Sequence, residues 1–61
     1  MTDREAIQAA FEARVGKLYE TMFASYTLAG GNAAEIAKAD AAFKTGVQQA
    51  RLVRDRAIAL M

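Results

Sequence analysis

The sequence contains no cysteine, no histidine, no proline and no tryptophan, and its only serine is Ser25. Without cysteine no disulfide can staple a small fold. Without cysteine or histidine a soft transition-metal site loses its usual ligands. Nucleophilic catalysis loses its usual base as well, and Ser25 has no evident activating neighbour. The lack of proline leaves helices free to run unbroken. Net charge is only +1, too small by itself to imply nucleic acid, an anionic membrane or an acidic substrate. No stretch approaches the roughly 18 apolar residues that span a bilayer. The N-terminus, Met-Thr-Asp-Arg-Glu, has no apolar run behind a basic start. These absences lead to the expectation of a cytoplasmic, non-enzymatic protein with no cofactor, no metal and no membrane contact.

What is present is helical. Of 61 residues 33 are apolar, and 15 of those are alanine, a residue that drives helix propensity more than burial. Thr2-Asp3-Arg4-Glu5 and Asn32-Ala33-Ala34-Glu35 each place a capping side chain three residues before a glutamate, the capping-box pattern that opens a helix. Between them, Gly30 supplies a left-handed residue to close the first helix. The pattern predicts one domain over 1–61, with a helix over 3–29, a turn over 30–32 and a helix over 33–60. The fold class is all-α, a two-helix antiparallel hairpin.

The first helix has its apolar stripe at Ile7, Phe11, Val15, Leu18, Met22, Tyr26 and Ala29. Its average step near 3.67 residues suits a nearly straight helix. Tyr19 and Phe23 fall well to one side, widening the apolar arc of the C-terminal half to about 160° at ~100° per residue. One neighbouring helix cannot cover that arc. The second helix places Ile36, Asp40, Phe43, Val47, Ala50, Arg54, Ala57 and Met61 on a strict seven-residue repeat, the spacing of a coiled coil. Folding at Gly30-Gly31 sets Phe11 level with Ala50, Val15 with Val47, Leu18 with Phe43 and Tyr26 with Ile36. The apolar end of the chain, Ala57 to Met61, is expected to dock.

A chain this short sits near the lower limit for a self-sufficient core. The expectation is therefore a homo-oligomer, most simply a homodimeric four-helix bundle. Its contact residues would be Tyr19, Met22, Phe23, Val47, Val53, Leu60 and Met61. Asp40 and Arg54 stand seven residues on either side of Val47. An antiparallel crossing at Val47 would pair them between chains twice and set register. The plainer alternative is solvated pairing within the chain: Asp40 with Lys44, Arg51 with Asp55, or Arg54 with Asp3.

The expected role is that of a small interaction module, such as a regulator, an adaptor or an assembly factor in a bacterial or phage particle. The aromatic arc could also hold a different protein. Nucleic acid is the rival partner. Lys44, Arg51, Arg54 and Arg56 against Asp55 give the second half of the second helix a local charge of +3, and Lys44, Arg51 and Arg56 would be its phosphate contacts. Basic residues there also complement the helix dipole. Glu5 and Glu12 read as a solvated edge, and Gly30-Gly31-Asn32 lacks the lysine of a phosphate loop.

Overall fold

A computed structural model describes all 61 residues, Met1–Met61. Two helices, α1 (Asp3–Ala29) and α2 (Ala33–Ala59), fold back on each other as an antiparallel hairpin. The chain is all-helical, without strands.

The helix boundaries follow local chemistry. The Thr2 hydroxyl accepts from the Glu5 backbone N–H at 3.1 Å and donates to the Glu5 carboxylate at 3.1 Å. Asn32 Oδ1 accepts from the Glu35 backbone N–H at 3.1 Å, satisfying a donor that the first helical turn leaves free. Here Glu35 turns outward to Lys38, 3.4 Å away. Gly30, at φ 55° and ψ 34°, ends α1 in the left-handed region, and Gly31 follows at φ 89°. Glycine enters that region at no steric cost. The Asn32 N–H donates to the Ala29 carbonyl at 2.9 Å, which closes the turn. At the other end Leu60 is the cap of α2, its N–H donating to the Arg56 carbonyl at 3.1 Å.

The seam between the helices is narrow. On α1, Ile7, Phe11, Val15, Leu18, Met22, Ser25 and Ala29 are half-buried. The sequence pattern placed Tyr26 inside, but Ser25 takes that position and Tyr26 stands exposed. On α2 the half-buried positions include Phe43, Val47, Ala50 and Arg54, and Ala39 is the one buried residue. Asp40 and Met61 are exposed, contrary to the seven-residue stripe; Ala39 and Ile58 lie inward instead. Ser25 and Ala39 share one cause. Closely approaching backbones favour a small residue on the axis of contact and leave its larger neighbour at the edge.

Leu18 shows the closeness directly. A Cβ added to Gly46 would come within 2.6 Å of Leu18 Cδ2, so the missing side chain of Gly46 is the seat for Leu18. Leu18 thus meets Gly46, about one helical turn beyond its expected level partner Phe43. Phe11 likewise reaches Arg54, and Tyr26 reaches Asp40. Helical side chains lean toward their own N-terminus. On α1 that direction points away from the turn, which moves each contact outward along α2.

Docking of the chain end stops at Ile58. Ala57 and Ile58 are half-buried, whereas Leu60 and Met61 are exposed. The result is a slab of 44 × 18 × 7 Å with a radius of gyration of 14.2 Å, against about 10.5 Å for a compact chain of this length. No helix is long and apolar enough to cross a membrane.

Candidate interaction surface

A slab of two helices has two broad faces, and the rotation of each helix decides which residues share one. At ~100° per residue, Tyr19, Phe23 and Tyr26 stand to one side of the seam on α1. Ala10, Arg14 and Leu28 stand to the other. On the antiparallel α2, Asp40, Lys44 and Arg51 fall on the aromatic side, and Gln49, Val53 and Leu60 fall on the opposite side.

The aromatic face centres on a shallow hollow of about 200 Å³ formed by Tyr19, Met22, Phe23, Tyr26 and Thr27. Tyr19 and Phe23 are 55% and 63% exposed, with ring centroids 6.4 Å apart and planes tilted by 40°, a favourable aromatic geometry. Their spacing of one turn on a single helix sets this arrangement. The Thr27 hydroxyl donates back to the Phe23 carbonyl at 3.0 Å, so it spends its proton inside the helix. The Tyr26 hydroxyl donates across the seam to the Asp40 carboxylate. That hydrogen bond raises the Tyr26 pKa above its ordinary value, helped by partial loss of water and by the negative charge of Asp40. The hollow contains no charged side chain.

The opposite face carries a trough of about 520 Å³ in the open half of the hairpin. Half-buried Ile7, Phe11, Ala50 and Ala57 line it from the seam, and exposed Ala10 and Val53 line it from the flanks. Its only charged side chains are Arg14 and Arg54. The Arg54 guanidinium carbon lies 4.4 Å from the centre of the Phe11 ring, within cation–π range. Its Nε donates to Asp55 at 3.0 Å. The two ion pairs of the chain are Arg54–Asp55 and Lys38–Glu35, so Arg14 has no carboxylate partner.

These positions divide the contact residues expected from sequence. Tyr19, Met22 and Phe23 share the aromatic hollow, and Val47 lies half-buried at the seam. Val53 belongs to the trough, and Leu60 and Met61 form the exposed chain end. Asp40 and Arg54 are both engaged within their own chain, with Tyr26 in one case and with Phe11 and Asp55 in the other. None of the pairings Asp40–Lys44, Arg51–Asp55 or Arg54–Asp3 forms. Lys44 and Arg51 border the aromatic face, whereas Arg56 points to the outer side of α2 by the same rotation. The three basic residues therefore do not all lie on one face.

The trough, and the exposed Leu28 and Leu52, have no counterpart in the sequence reading. A stripe read on each helix separately does not say which flanks meet across an antiparallel pair. The available signal was the small-residue run Gly46, Ala50, Ala57 beside the bulky Val53. No group of three or more His, Cys, Asp or Glu side chains converges. Comparisons with protein-family models, with curated proteins and with solved structures found no match.

Proposed function

We propose that this chain is a non-enzymatic interaction module that works as a homodimer, its aromatic faces packed together in a four-helix bundle. The observation that carries the reading is an excess of surface. A globular monomer of 6.6 kDa exposes about 3,900 Å². This hairpin exposes 4719 Å². The difference, about 800 Å², equals one partner's share of a standard protein interface.

The choice of face rests on symmetry. A two-fold interface brings each patch against its own copy, so a self-association surface must tolerate itself. The hollow around Tyr19, Met22 and Phe23 carries no charge and meets that condition. Aromatic residues and methionine are also the types enriched at the centres of interfaces. The Asp40–Arg54 register pair is not part of this reading, because Asp40 accepts from Tyr26 and Arg54 lies over Phe11 within one chain. A dimeric module of this kind suits a regulator, an adaptor or an assembly factor.

Sedimentation equilibrium on the purified chain at micromolar concentration tests the proposal. The expected mass is twice that of one chain, with a melting temperature that rises with concentration. A single-chain mass combined with a cooperative, concentration-independent melt would overturn it.

A further inference from the structure

We propose that the trough on the opposite face receives the apolar side of an amphipathic helix from another protein, one whose flanking positions are acidic. This site is separate from the aromatic face and does not depend on dimerisation.

Three observations fit that occupant. Its deeper lining, Ile7, Phe11, Ala50 and Ala57, is apolar and half-buried, and its flanks include the exposed Ala10 and Val53, a cross-section that admits leucine-sized knobs beneath a helix backbone. From Gly46 to Ala57 the trough runs roughly 16 Å along α2 at ~1.5 Å per residue, which accommodates about three helical turns. The charge is of one sign: Arg14 and Arg54 line the trough and no carboxylate does. Arg14 is unpaired in the chain.

The same charges exclude a second copy of this face. Two troughs meeting about a two-fold would bring two unpaired Arg14 side chains into a surface with no free carboxylate in its lining, since Arg54 is already held by Asp55, a juxtaposition that costs affinity. An acidic partner removes the conflict and gives Arg14 its counter-ion. The aromatic face and the trough therefore have different occupants.

Two synthetic helical peptides test this, with the same leucine–alanine face but flanked by glutamates in one and by lysines in the other. Fluorescence anisotropy should show saturable binding of the glutamate peptide, about tenfold tighter than that of the lysine peptide. Arg14→Glu should reverse the preference. Val53→Asp should abolish binding of both, since it sets a carboxylate in the apolar wall. Equal binding of both peptides, binding of neither, or a preference unchanged by Arg14→Glu would overturn the proposal. Repeating the titration on Phe23→Asp separates the two surfaces. Retained binding by that variant supports a distinct site, and loss of binding overturns it. A wild-type chain that sediments as a monomer yet keeps the charge preference refutes the dimer alone.

Discussion

Tyr19 and Phe23 on one side of the hairpin and Val53 on the other are exposed to similar degrees, at 55%, 63% and 61%. By hydrophobicity alone they are one class, and a sequence reading groups them as one interface. Their surroundings differ. The aromatic pair sits in a hollow without charge, and Val53 shares a trough with Arg14 and Arg54. Exposed apolar area marks a surface that gains by burial. The charges at its border say which kind of partner is compatible. A neutral patch can meet itself, whereas a patch of one sign needs a complement.

The comparison can be broken most severely at Phe23. Phe23→Asp should convert the sedimenting species from two chains to one, weakening association at least 100-fold, equivalent to about 3 kcal/mol. The same change should leave the trough intact. Next in size is the seam that both faces share. Gly46→Val places atoms where Leu18 rests and should lower stability by about 2 kcal/mol in urea denaturation. An unshifted midpoint would show that Leu18 can move aside without cost. Gly16 provides the opposite case, because a Cβ added there meets nothing within 4 Å. Gly16→Ala should raise stability by about 1 kcal/mol through helix propensity alone.

A pH titration sharpens the aromatic side. The raised Tyr26 pKa means that the folded chain holds this proton more firmly than the unfolded chain does. Its contribution to stability is complete at neutral pH and is lost as pH rises above the ordinary value of 10.0 through the raised one. Tyr26→Phe should remove that part of the alkaline loss, and two identical alkaline melting profiles would refute the assignment. The smallest effect belongs outside both faces. Leu52, 71% exposed on the outer side of α2, should tolerate Leu52→Glu within about 0.5 kcal/mol without any change in solution mass. A dissociated chain would instead place Leu52 in the interface.

The parts of this fold legible in the sequence are those governed by neighbours along the chain. Thr2, Asn32 and Gly30 announce the helix ends because capping and left-handed turns are decided within three or four residues. The hairpin follows from the short turn between two apolar-periodic segments. The phase of the stripe was harder. Ser25 and Ala39 lie inward where Tyr26 and Asp40 were expected, because backbone separation, not side-chain hydrophobicity, chose the axis of contact. The paired contacts were offset by about a turn because side chains lean along their helices.

Helix type, helix limits and the surplus of apolar surface were thus determined by the chain's own order of residues, since each depends on local bonding or on composition. The division of that surplus between two faces was decided only when the helices packed. Which flank of α1 lies beside which flank of α2 depends on their antiparallel sense and on the seating of Leu18 over Gly46. Those are distances between residues far apart in sequence, and no periodicity within one helix encodes them.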